Sequence, residues 1–117
     1  MAKLLIIDDS EPDKELLRLN IDQDKHELYE NKHPRDIMTD IEQIKPDLVL
    51  LDLVMPEKEG MECIVEIKNN FPEQKILVMS GKGQEYMDIA ITLGAKGGVA
   101  KNLIPFKINE IIESYLK

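Results

Sequence analysis

Residues 47–56 read DLVLLDLVMP: four consecutive bulky apolar side chains, Leu48 to Leu51, ending on a carboxylate, Asp52. A strand that is apolar on both faces belongs in the middle of a parallel sheet covered by helices. Working outward, Lys3–Ile7 is a second such run, rich in β-branched residues, and it also stops on carboxylates, Asp8 and Asp9. Residues 75–80, KILVMS, form a third buried run, ending on Ser80. Between these runs the apolar spacing changes to a helical period. A helix is expected over Ser10–Asp22, with Pro12 suited to its first turn and Leu16, Leu17 and Leu19 as its apolar side. A second helix opens at Pro34, places Ile37, Met38, Ile41 and Ile44 on one side, and ends at Pro46. A third covers Glu59–Asn70 with Met61, Ile64, Val65 and Ile67 inward, and a fourth covers Gln84–Leu93, stopped by Gly94. His26–Asn31 is a weak polar strand, Gly97–Ala100 a short last strand, and Pro105 sits in the first turn of a final helix reaching Leu116. Strand and helix alternate five times, which predicts a doubly wound α/β domain with helices on both faces of a parallel sheet.

The bulk numbers set limits. A chain of 117 residues has the size of one domain, and 43% hydrophobic content supplies a core that only 4% aromatics makes aliphatic. A net charge of −8 works against direct binding to nucleic acid or to an anionic membrane, and is compatible with cation binding. The single cysteine, Cys63, excludes an intrachain disulfide and reads as a small core residue on its helix. No basic region followed by a long apolar stretch marks a signal peptide, and no apolar run approaches a membrane span. The expectation is a soluble cytoplasmic domain. His26 and His33 have no partner at metal-ligand spacing and are expected at the surface. Met38, Met55, Met61, Met79 and Met87 are expected as core filler. Residues 80–85, SGKGQE, lack the rest of a phosphate-binding loop motif.

In an open α/β sheet, ligands bind at the carboxyl ends of the strands. The strong strands deliver Asp8 and Asp9, Asp52, Ser80 and Lys101 to that one edge. Taken alone, Asp8 and Asp9 are explained by a turn reaching water. Taken with the others, three neighbouring carboxylates either take up protons or gather round a cation. Oxygen ligands without nearby histidine or cysteine favour magnesium or calcium. A metal, a lysine and a hydroxyl around one carboxylate suit transfer of a phosphoryl group onto that carboxylate.

LLIIDD, LVLLDLVMPEKEG, ILVMSG and GAKGGVAK, in this order and spacing, resemble the receiver domain of bacterial two-component response regulators. The resemblance runs from about Lys3 to Leu116, and the D-x-x-M-P-x-x-x-G segment from Asp52 to Gly60 is its most specific part. It implies a flavodoxin-like five-stranded sheet of order 2-1-3-4-5. It implies that Asp52 accepts a phosphoryl group from a sensor histidine kinase or phosphotransfer protein. It assigns Asp9 as a direct Mg²⁺ ligand, Asp8 as its neighbour acting through water, and the Val54 backbone carbonyl as a third protein ligand. Ser80 matches the switch hydroxyl, Gly81 the small residue after it, and Lys101 the lysine that contacts the phosphoryl group. Val54 and Lys82 stand where side chains gate water access. The domain so implied, over residues 1–117, is a signalling module that catalyses only its own phosphorylation and dephosphorylation. It reaches a downstream protein through the fourth helix, last strand and last helix.

Two departures bear on that output. Gly98 stands three residues before Lys101, where the family often has a tyrosine or phenylalanine that moves inward with the switch hydroxyl. Asn102 follows Lys101, where the family usually has a proline with a cis bond. A cis bond before a non-proline residue costs about 3–4 kcal/mol, so a trans bond and a reshaped loop to Pro105 are expected. Leu103 replaces a frequent aromatic. Two alternatives stay open: a receiver-like docking module that no longer signals by phosphorylation, and a true phosphatase or phosphotransferase. The second would need a substrate pocket that 117 residues leave little room for.

Overall fold

The computed structural model describes residues 1–54, 59–81 and 83–117; Met55, Pro56 and Lys82, singled out above, lie outside them. Among the described residues the strands are β1 (Ala2–Ile7), β2 (His26–Glu30), β3 (Leu48–Asp52), β4 (Ile76–Ser80) and β5 (Gly97–Ala100). The helices are α1 (Glu11–Asn20), α2 (Ile37–Ile44), α3 (Gly60–Asn70), α4 (Gln84–Leu93) and α5 (Ile104–Leu116). All strand pairs are parallel, in the order β2-β1-β3-β4-β5. This is the flavodoxin-like arrangement that the resemblance implies.

The alternating Cβ directions of a strand build two cores. Leu5, Ile7, Val49, Leu51, Ile76 and Val78 face α2, α3 and α4. Leu4, Ile6, Leu48, Leu50, Leu77 and Met79 face α1 and α5. β3 and β4 are buried along their whole length, as their unbroken apolar runs require. α1 is held at three places. Ser10 caps it, its Oγ accepting from the Asp13 backbone N–H at 3.3 Å. Arg18 donates to both carboxylate oxygens of Glu30 in β2 at 2.6 and 2.7 Å, holding the Glu30 carboxyl below its usual range. Asn109 of α5 accepts from the Asp22 backbone N–H and donates to the Asn20 carbonyl.

Several expectations need correction. Leu19 is 73% exposed while Leu17 is fully buried, because two residues turn a helix about 200°. Val65 is 41% exposed: Ile64 and Ile67, three apart, define the inward stripe of α3, and Val65 falls beside it. His26 is buried rather than superficial, because its pairing with Ala2 sets it in the sheet beneath α5, where Nε2 lies 3.1 Å from Glu113 Oε1. Met38 and Met61 are half-buried, and Met79 and Met87 are buried as expected. Pro34 opens a single 3₁₀ turn, Pro34–Asp36, before α2 begins. No cis peptide bond occurs among the described residues, so Lys101 and Asn102 are joined in trans; Lys101–Leu103 form a 3₁₀ turn leading into α5.

Candidate functional site

The carboxyl ends of the strands deliver a charged cluster. Asp8 follows β1 and is buried, and Asp52 is the last residue of β3 and only 2% exposed. Ser80 ends β4 and is buried, while Lys101 follows β5 and is half-buried. The backbone turns hold both carboxylates: Asp8 Oδ1 accepts from the Ser10 N–H at 2.8 Å, and Asp52 Oδ1 from the Val54 N–H at 3.3 Å. The Lys101 ammonium lies 3.2 Å from Asp52 Oδ1 and 4.0 Å from Asp8 Oδ2. Its shortest contact, 2.5 Å, is to Asp13 Oδ2.

Asp13 is a site residue that the sequence reading missed. Carboxylate oxygens of Asp8, Asp13 and Asp52 all lie within 4.8 Å of one another. An acid in the first turn of a helix is common because it suits the helix dipole, so Asp13 carries no signal of its own. The one available clue is that α1 starts three residues after Asp8, at the same edge of the sheet. Asp9 behaves differently from its neighbour: it is exposed and stands outside this group. Val54 is also exposed.

The electrostatics are those of an anionic site that attracts a cation. Burial pushes the Asp8 carboxyl up to about 7, aided by the charges of Asp52 and Asp13 and opposed by the Ser10 N–H and Lys101. Its Oδ2 is buried and, among the described residues, accepts no hydrogen bond. Burial pulls the Lys101 ammonium down, but Asp13, Asp52 and Asp8 together outweigh it and leave the group above its ordinary value. An orphaned buried carboxylate oxygen beside two further carboxylates, with oxygen donors alone, fits a hard divalent cation such as Mg²⁺. The groove of about 840 Å³ lined by Met1, Ile41, Pro46, Phe71 and Leu116 lies at the opposite end of the strands and contains none of these residues.

Two glycines shape the surroundings. A Cβ on Gly60 would fall 2.5 Å from Leu53 Cα and 2.8 Å from the Asp52 carbonyl oxygen, so only glycine lets α3 start this close behind Asp52. A Cβ on Gly98 would meet Met87 Sδ at 2.9 Å and Val78 Cγ2 at 3.0 Å, so Met87 occupies the space above Gly98.

A five-stranded parallel sheet of this order, with carboxylates and a lysine gathered where strand order reverses, defines a doubly wound domain with an acidic ligand edge. The family model for the response regulator receiver domain matches residues 4–115, and the chain belongs to that family. It is 34% identical over 117 residues to the chemotaxis protein CheY of Thermotoga maritima, covering 98% of this chain and 95% of that one. It is 32% identical over 119 residues to the chemotaxis protein CheY of Listeria monocytogenes, covering 100% of this chain and 98% of that one. The crystal structure of NtrX from Brucella abortus superimposes with a TM-score of 0.89 at 25% identity, over 98% of this chain and 26% of that longer one. Receiver domains of this family serve two-component signalling, between histidine kinases and downstream effectors, and bind Mg²⁺ at an acidic pocket. No helix among the described residues is long and apolar enough to cross a membrane.

Proposed function

We propose that this chain, as a single receiver domain over residues 1–117, takes a phosphoryl group from a phosphohistidine on a sensor histidine kinase or phosphotransfer protein onto Asp52. The observation that carries this reading is the Lys101 ammonium 3.2 Å from a buried Asp52 oxygen, beside the orphaned Oδ2 of Asp8. A carboxylate oxygen of Asp52 attacks phosphorus as the P–N bond breaks, its electron pair passing to the imidazole nitrogen of the donor. The product is an acyl phosphate on Asp52. By the family resemblance Asp9, Asp52 and the Val54 carbonyl would hold Mg²⁺, with Asp8 acting through water, although Asp9 lies outside the cluster of Asp8, Asp13 and Asp52. The metal supplies neutralisation of phosphoryl charge when bound. Lys101 supplies a second positive charge from the protein itself, and Ser80, buried at the end of β4, supplies a hydroxyl for a phosphoryl oxygen. Beyond its own phosphorylation and dephosphorylation the domain is not an enzyme.

Output runs to a downstream protein through α4, β5 and α5. Exposed Tyr86 and Ile89 on α4, Leu103 before α5 and Phe106, 79% exposed on α5, support that choice of face. Readout cannot use an aromatic at position 98, and Met87 already fills the space above Gly98. The acidic charge supports action without direct nucleic-acid or membrane contact in the cytoplasm.

The test is intact mass after incubation with acetyl phosphate, with Mg²⁺, with EDTA, and for Asp52→Asn. One added phosphoryl group that requires both Mg²⁺ and Asp52 is the expected result. No adduct under any condition, with Mg²⁺ binding established separately, would replace this reading by a docking module, which Gly98 and Asn102 favour.

A further inference from the structure

Asp13 takes no part in the transfer just proposed, yet it is the nearest partner of the lysine that does. Lys101 Nζ is 2.5 Å from Asp13 Oδ2, against 3.2 Å for Asp52 and 4.0 Å for Asp8. We propose that Asp13 is a positioning residue that competes with phosphorylated Asp52 for the Lys101 ammonium and so sets how tightly the phosphoryl group is held. The inference rests on Asp52 being the phosphoacceptor.

The geometry makes the competition unavoidable. Asp13 cannot follow the lysine, because its backbone is fixed in the capped first turn of α1, and α1 is itself clamped by Glu30 and Asn109. The ammonium sits between the carboxylates with the Lys101 side chain only 24% exposed, so water replaces a lost partner poorly. A phosphoryl group on Asp52 places its charged oxygens beyond the present carboxylate. The ammonium, with three protons to donate, must then divide them between those oxygens and the Asp13 carboxylate it already holds. Without the Asp13 carboxylate, the only other carboxylates paired with the ammonium among the described residues are those of Asp52 and Asp8. A second, simpler effect runs in the same direction: the Asp13 charge repels an incoming anion whether or not Lys101 is present. The two are separable by removing the lysine.

The experiment uses beryllium trifluoride, which mimics a phosphoryl group on a carboxylate, titrated by calorimetry in saturating Mg²⁺. The proteins are the wild type, Asp13→Asn, Lys101→Ala and the double variant, each checked for folding by circular dichroism. Asp13→Asn is expected to tighten binding about tenfold, the low end for a hydrogen bond between charged groups. In the Lys101→Ala background the same change should have a severalfold smaller effect, the part that repulsion alone supplies. An unchanged affinity in Asp13→Asn, or equal tightening with and without Lys101, would overturn the inference while leaving the phosphoacceptor reading intact. Failure of the wild type and every variant to bind would overturn that reading and this one together. If Lys101→Ala binds too weakly to titrate, the decision passes to the Lys101 ammonium proton signal in the free protein. A slowly exchanging signal lost in Asp13→Asn supports the competition, and its absence from the wild type refutes it.

Discussion

Replacing Asp8 by Asn should make the metal-free protein more stable at pH 8, although it deletes a group of the site. Asp8 is buried, and its carboxyl is raised from the ordinary 3.8 to about 7, chiefly by that burial. Between those two values the unfolded chain gives up a proton that the folded chain retains. Stability therefore falls as pH rises through this window and levels off above about 7. At about 1.4 kcal/mol per pH unit, the whole interval corresponds to about 4 kcal/mol. Asn retains the oxygen that accepts from the Ser10 N–H, and it carries no charge to bury. Its amide in place of Oδ2 gives up one distant acceptor for Lys101, at 4.0 Å, so the expected gain is about 2–4 kcal/mol. For a chain of this size, at about 4 °C per kcal/mol, thermal denaturation in EDTA at pH 8 should show Tm raised by roughly 8–16 °C. At pH 4 the gain should shrink to about 0.5 kcal/mol, because Asp8 is then protonated in the folded state and close to half protonated in the unfolded one. Added Mg²⁺ should narrow the gap at pH 8 by stabilising the ionised wild type more than the variant. A Tm at pH 8 no higher than that of the wild type, or an equal gain at pH 4, would refute the reasoning.

Gly60→Ala should cost about 2–3 kcal/mol in urea denaturation, because the new methyl meets the backbone at Leu53 and Asp52, which cannot rotate aside. Ile67→Ala should cost about 2–5 kcal/mol and Val65→Ala under about 0.5 kcal/mol, two residues apart on one helix; similar losses at both would contradict the orientation of α3. Gly98→Tyr should destabilise the domain by about 1–3 kcal/mol, since the ring must displace Met87 and crowd Val78, and Met87→Ala in the same chain should recover part of the loss. No recovery would show that Met87 does not define that space.

The alternation of wholly apolar runs with helical-period segments was enough for the architecture, because a strand apolar on both faces has only one environment that suits it. The same logic placed Asp8, Asp52, Ser80 and Lys101 together: a polar residue that terminates a buried parallel strand must emerge at the carboxyl edge. Which helical side chains face inward was legible only to within a residue or two, as Leu19 and Val65 show. Three neighbouring apolar positions span too wide an arc for all to be covered by one sheet face. His26 was misplaced because strand polarity reports the average environment of β2, whereas burial at its first residue depends on α5 crossing above it. Asp13 was invisible for the same kind of reason: its contact with Lys101 joins residues 88 positions apart, through the packing of α1 against α5. Local pattern determined the fold and the chemistry available at its edge. Only tertiary packing decided which carboxylate the lysine holds, because that choice is made by helix positions no local period encodes.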